Sequence, residues 1–191
     1  MAKKEDSVLK MVVVLMVTCI FSGVALAYTY NLTKDKIAQT EKEAGLSAVK
    51  KVLPVYDGIP QEKIINIDGV EKSIYIGKKD GKIVGFAIPS GAIGYGGMVN
   101  ILVGIDTNGK VTGMELLAHQ ETPGLGSKAG EAKFKDQFKG KFLKSVSEVF
   151  SVRKDGGDIE AITAATITSR AVTNGVTEAL RIYLKNKEQL V

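Results

Sequence analysis

Residues 11–30, Met-Val-Val-Val-Leu-Met-Val-Thr-Cys-Ile-Phe-Ser-Gly-Val-Ala-Leu-Ala-Tyr-Thr-Tyr, carry no charged side chain, and no other feature constrains the fold so strongly. At about 1.5 Å of rise per residue a helix of this length crosses a hydrocarbon core of about 30 Å once. Lys3, Lys4 and Lys10 precede the run, which places residues 1–10 on the cytoplasmic side, while Tyr28 and Tyr30 fall where an outer aromatic belt belongs. The rest of the chain is therefore expected outside the cytoplasm, at the cell (inner or cytoplasmic) membrane. Ala25-Leu26-Ala27 resembles a signal-peptidase site, but the apolar run exceeds the usual signal core of about 7–15 residues, which favours retention as an anchor.

Removing the first thirty of 191 residues leaves 161, enough for one core of ordinary size. The formal charge is +5, of which residues 1–10 contribute +1 (three Lys against Glu5 and Asp6), so the exported part is near +4. These charges are interspersed and no nucleic-acid motif accompanies them, so nucleic acid is not an expected partner. Cys19, the one cysteine, lies inside the apolar run, which excludes a disulfide or thiolate metal site from the exported domain.

After the span, residues 31–52 read as a helix rich in Lys, Glu and Ala, with Leu32, Ile37, Ala44, Ala48 and Val52 on an irregular apolar stripe, and Pro54 ends it. From Ile64 the apolar period changes to two. Asp68-Gly69 and Asp80-Gly81 separate three such runs as hairpin turns, and two further strands follow across residues 98–106 and 110–117, around Thr107-Asn108-Gly109. The expected organisation is 1–10 cytoplasmic, 11–30 transmembrane, 31–54 stalk helix and 55–191 exported domain. Residues 127–141 read as a helix with Ala132, Phe134 and Phe138 toward the core, and residues 147–154 as one more strand. From about Thr166, Val172, Val176, Leu180, Tyr183 and Leu184 recur at three- and four-residue steps, the signature of a buried helical face.

Three polar or glycine-rich segments stand out. Residues 90–97, Ser-Gly-Ala-Ile-Gly-Tyr-Gly-Gly, permit close backbone approach, but a strand rather than a helix follows, so they are no nucleotide fingerprint. Residues 119–126, His-Gln-Glu-Thr-Pro-Gly-Leu-Gly, form a Pro-Gly loop with the chain's single histidine, His119, which lacks the convergent partners a zinc or iron site requires. Acid–base chemistry by His119 with Glu121 has no support beyond their closeness. Residues 160–169, Glu-Ala-Ile-Thr-Ala-Ala-Thr-Ile-Thr-Ser, put hydroxyls at the start of the last helix, where unpaired amides and the helix dipole favour a phosphate. The same residues also suit a plain N-cap by Thr163 or Thr166.

Together these segments resemble an established family. Glu160, Thr163, Ala164, Ala165 and Thr166 fall on the flavinylation motif of the extracytoplasmic FMN-binding domain family, with Glu for the usual Asp and Ala for the usual Gly. Because Ala seldom visits positive φ, the backbone at Ala164 is expected near-helical. The segments at 94–97 and 119–126 extend the resemblance over nearly the whole chain, to the G-type subunit of Rnf/Rsx-type ion-translocating electron-transport complexes. The C-type subunit of the sodium-translocating NADH:quinone reductase is similarly related. The resemblance implies an α+β fold: one N-terminal transmembrane helix, then an antiparallel-sheet FMN-binding domain with flanking helices. It implies FMN held covalently by a phosphoester to Thr166, placed there by a flavin transferase. The same comparison implies cofactor contacts at Thr163, Ala164, Ala165, Ile167, Thr168, Arg170, His119, Glu121, Thr122, Gly124, Leu125 and Gly126, with no catalytic or metal residue. The implied function is electron transfer between redox subunits of a ferredoxin:NAD oxidoreductase complex, with no substrate pocket of its own. The alternatives are the quinone-reductase component and an anchored interaction domain without cofactor.

Overall fold

The computed structural model describes residues 2–67 and 69–190, and the side chains of residues 2–7, 38, 39, 41 and 42 are outside the description. The chain divides into two compact units, Met1–Glu43 and Ala44–Val191. Helix α1, Ala2–Val52, is one element, and within it Val8–Ile37 is long and apolar enough to cross a membrane once. Its threonine hydroxyls bond back to the helix. The hydroxyls of Thr18 and Thr29 donate to the carbonyls of Val14 and Ala25, each at 3.0 Å, so neither needs water or lipid as a partner. Helix α1 ends two residues short of Pro54, as proline's missing donor and ring require.

The second unit is built on five strands, β1 Gln61–Ile67, β2 Val70–Lys79, β3 Lys82–Ile93, β4 Met98–Asp106 and β5 Val111–Ala118, paired antiparallel in chain order. Turn chemistry explains this meander. Asp80 and Gly81 both take positive φ, 52° and 76°, the handedness that matches the twist of a two-residue hairpin. Between β4 and β5, Asp106 accepts the amides of Asn108 and Lys110 at 2.8 and 2.9 Å, an Asx turn closed by Gly109. The β1–β2 turn was expected at Asp68-Gly69; Asp68 lies outside the described residues, and the Gly69 amide donates to Asn66.

Each face of the sheet is covered by one helix. On the larger side α3, Thr166–Leu190, lays Ala171, Val172, Val176, Ala179, Leu180 and Tyr183 against Phe86, Ile88, Ile101, Val103 and Ile105. Gly175 brings the helix close, and its carbonyl accepts the Ser90 hydroxyl at 2.5 Å. On the opposite face the end of α1 packs Ala48, Val49, Val52 and Leu53 on Ala87 and Leu102. There the Val52 carbonyl lies where a Cβ on Gly104 would stand, and it accepts the Thr112 hydroxyl. The helix end thus rests on bare strand backbone.

Two expected elements are replaced. The helix expected over 127–141 is broken into a 3₁₀ turn at Gly126–Gly130, a four-residue α2 at Ala132–Lys135 and a second 3₁₀ turn at Asp136–Phe138. Glu131 is extended between the first two (φ −75°, ψ 146°). Phe134 and Phe138 are buried edge to face at 5.7 Å, as expected, but Ala132 is exposed and Ala129 is in the core instead. The strand expected over 147–154 shrinks to one parallel bridge between Val152 and Ile159. Side chains of α3 reach part of its backbone: the Thr177 hydroxyl accepts the Phe150 amide at 3.1 Å, and Arg181 donates to the Glu148 carbonyl at 3.5 Å and, just before the segment, to that of Val146 at 2.9 Å. Other backbone groups are met locally, as in the bonds of Ser151, Val152 and Arg153 with Asp155, Gly157 and Ile159, so a ladder is not what satisfies this segment.

Gly104→Ala should lower stability by about 1–3 kcal/mol, the usual range for overpacking a tight contact, because its methyl would overlap the Val52 carbonyl. Denaturant unfolding monitored by tyrosine fluorescence of detergent-solubilised protein measures the difference.

Candidate functional site

Three connections meet at one end of the sheet: the β3–β4 loop at residues 94–97, the loop after β5 at 119–126, and the approach to α3 at 160–168. Between them is a cleft of about 510 Å³ lined by Tyr95, Glu121, Thr122, Leu125, Gly126, Ala164, Ala165, Thr166, Ile167 and Thr168. That volume is in the range of small-ligand sites. Gly124 and His119, also expected to meet a cofactor, belong to the same loop without lining the cleft, and Thr163 lines a separate hollow beside Phe134 and Gln137.

The approach to α3 is held from behind. Gln137 clamps the peptide of Glu160, accepting its amide at 2.7 Å and donating to its carbonyl at 3.2 Å. Ser169, wholly buried, accepts the Ile162 amide and donates to the Ala165 carbonyl, both at 2.9 Å. Neither role was legible in the sequence. Ser169 was visible only as one more hydroxyl of the run, and Gln137 carried no signal.

These restraints force a conformation opposite to the expected one. Ala164 has φ +61°, in the left-handed region, so the near-helical backbone expected there is corrected. The anchored residues Ile162 and Ala165 are joined by an Ala165 amide to Ile162 carbonyl bond of 3.0 Å, closing a four-residue turn whose third residue, Ala164, takes the left-handed position. This also accounts for the glycine of the family motif at this position, since glycine alone makes that step without cost.

The capping expectation changes too. The Ser169 amide donates to the Ala165 carbonyl at 3.0 Å, which makes Ala165, not Thr163 or Thr166, the residue at the helix's cap. Alanine has no side-chain acceptor. Among the described residues, no protein acceptor pairs with the amides of Thr166, Ile167 or Thr168. The first turn of a 25-residue helix therefore opens on the cleft with its donors free, a setting that favours an anion.

The motif's hydroxyls are not equivalent. Thr168 is 1% exposed and donates to Glu121 at 2.5 Å, whereas Thr163 is exposed outside the cleft. Thr166 is half-buried, lines the cleft and has no hydrogen-bond partner for its hydroxyl among the described residues. Leu125 and Ile167, both exposed, give the cleft apolar surface beside the exposed ring of Tyr95.

Charged groups are placed differently from expectation. Arg170, expected to pair with a phosphate, has a competing partner: its Nε and an Nη each donate to Asp155 at 2.7 Å. That pair depresses the Asp155 carboxyl and raises the guanidinium. His119 is exposed, and its Nδ1 accepts the Glu121 amide at 3.2 Å. The close approach permitted by the glycines of 94–97 is to the neighbouring loop, since a Cβ on Gly96 would overlap the Gln120 carbonyl. Burial alone would raise the Glu121 carboxyl, but donors at Thr168, Gly96 and Tyr95 and the nearby His119 outweigh it, leaving the group below its ordinary value.

The FMN-binding domain family matches residues 94–181, a span that contains all three segments of the cleft. The G-type subunit of the Na⁺-translocating ferredoxin:NAD⁺ oxidoreductase complex of Acetobacterium woodii is 36% identical over 92% of this chain and 91% of its own length. Its counterpart in the proton-translocating complex of Clostridium ljungdahlii is 34% identical over 93% and 92%, and that in the ion-translocating oxidoreductase complex of Aliivibrio fischeri strain MJ11 36% over 93% and 91%. The crystal structure of the C-type subunit of Na⁺-translocating NADH-quinone reductase from Parabacteroides distasonis shares the fold, with a TM-score of 0.54 at 19% identity over 71% of this chain and 78% of that one.

Two outcomes follow from the site. Ala164→Gly should stabilise the domain by about 1 kcal/mol by removing the left-handed penalty, measurable as a raised denaturation midpoint at unchanged slope. Because the Glu121 pKa is depressed on folding, its contribution is full above the unfolded value of about 4.3 and is lost as pH falls through the folded value. Melting temperatures taken from pH 7 down to pH 3 should therefore fall more steeply for the wild type than for Glu121→Gln.

Proposed function

Since the chain belongs to the family of G-type subunits of ion-translocating oxidoreductase complexes, we propose that its cleft holds FMN as a phosphoester on Thr166. It is an FMN-binding electron-transfer component of such a membrane complex. FMN supplies the redox chemistry and the protein binds, orients and shields it. The cleft fits the cofactor's two unlike ends. The unpaired amides of Thr166, Ile167 and Thr168 suit the phosphate, while Leu125, Ile167 and Tyr95 offer apolar surface to a flat ring, with Thr122, Gly124 and Gly126 along the loop beside it.

One observation carries the choice of Thr166: of the motif's hydroxyls, it is the one that both lines the cleft and is unengaged by the protein. A flavin transferase would make the bond, and the fixed helix turn would then hold the phosphate without dependence on free FMN. That matters outside the cytoplasm, where this reading places the domain with residues 1–10 inside. The other subunits of the complex are its partners, giving and receiving the electrons. The fold shared with the quinone-reductase protein is compatible with that related role, but the matches over nine-tenths of both chains favour the G-type assignment.

Intact-mass spectrometry of protein co-expressed with a flavin transferase should show one added FMN, less the water released in ester formation. Thr166→Ala should abolish the addition and Thr163→Ala should retain it. An unmodified wild-type mass would sink the covalent reading.

A further inference from the structure

Glu121 is 5% exposed, and its carboxylate is consumed by the protein rather than offered to a ligand. One oxygen accepts the Gly96 amide at 3.0 Å and the other the Thr168 hydroxyl at 2.5 Å. The first partner belongs to the β3–β4 loop and the second to the opening turn of α3. Glu121 itself belongs to a third segment, where its own amide donates to His119. Space around the carboxylate is equally committed. A Cβ on Gly94 would overlap one oxygen, and a Cβ on Gly126 would stand 2.5 Å from the other and 2.8 Å from the Thr168 hydroxyl. Gly94 and Gly126 are thus fitted to this one carboxyl group.

The chemistry favours its ionised form. A buried carboxylate needs donors on both oxygens, and hydrogen bonds to a charged acceptor are the strong ones. The group also lies at the third residue of α3, by the helix's positive end. Its ionisable neighbours are His119 on its own loop and Tyr95 on the facing loop. The facing turn of α3 presents hydroxyls, and Arg170 is turned to Asp155.

We propose that Glu121 is the positioning residue of the cleft: its carboxylate ties the turn carrying Thr166 to the β3–β4 loop and sets a fixed negative charge beside the flavin. The second half rests on the FMN reading above; the first does not. A fixed negative charge opposes addition of electrons to the flavin, so Glu121 holds the midpoint potential down.

The test uses full-length protein in detergent micelles, as wild type, Glu121→Gln, Thr168→Val and the double variant. In flavin-free protein, hydrogen exchange at the bonded amides of Gly94 and Gly96 in the first segment and Ser169 in the second should quicken tenfold or more in Glu121→Gln. Thr168→Val should also loosen both segments, and the double variant should be no faster than Glu121→Gln, as for one shared network. In flavin-loaded protein, Glu121→Gln should move the midpoint potential to a more positive value. Unchanged exchange at 94–97 in Thr168→Val, or additive effects in the double variant, overturns the positioning role even where Glu121→Gln fails to fold. An unchanged potential overturns the charge role. Altered exchange in a protein that never acquires FMN would tell against the proposed function and leave the positioning role standing.

Discussion

The placement of everything functional in this molecule depends on how α3 lies across the central strands. Its buried stripe from Ala171 to Tyr183 meets β3 and β4, and the contact at Gly175, with the Ser90 hydroxyl on its carbonyl, fixes the helix along its axis as well as around it. Once that register is set, the first turn can only fall at the end of the sheet where the 94–97 and 119–126 loops emerge. Helix α3 therefore supplies one wall of the larger core and the donor-bearing wall of the cleft. Burial of apolar surface does the holding, and the polar site at the helix's start is positioned at little added cost.

The meander and its covering helices were legible because their signals are local. A period of two, the Asp80-Gly81 and Asn108-Gly109 turns, and the three- and four-residue spacing of Val172, Val176, Leu180 and Tyr183 each specify structure within a few residues. What was misread depends on distant partners. Residues 147–154 have the composition of a strand, yet Thr177, Arg181 and turns around Ile159 answer backbone groups there. Ala164 has every local reason to avoid positive φ, but Gln137 and Ser169 fix the chain on both sides of it. The motif residues were legible through resemblance, whereas the distinction among Thr163, Thr166 and Thr168 required the folded chain, because it rests on which hydroxyl the protein has already engaged.

The relatives of this chain belong to complexes that move different ions. A sodium-translocating and a proton-translocating complex each contain a G-type component that matches it, at 36% and 34% identity. Overall similarity to this chain therefore does not separate the two coupling ions.

The order of the strands has one further consequence. Each of β1 to β5 pairs with its neighbour in sequence, so the sheet needs nothing from the end of the chain to find its register. The cleft is different, for its walls come from the β3–β4 loop, the loop after β5 and α3. A polypeptide cut short before α3 lacks the threonine turn and its open amides altogether. A ligand held in the cleft would therefore report that the sheet and α3 have both folded and met.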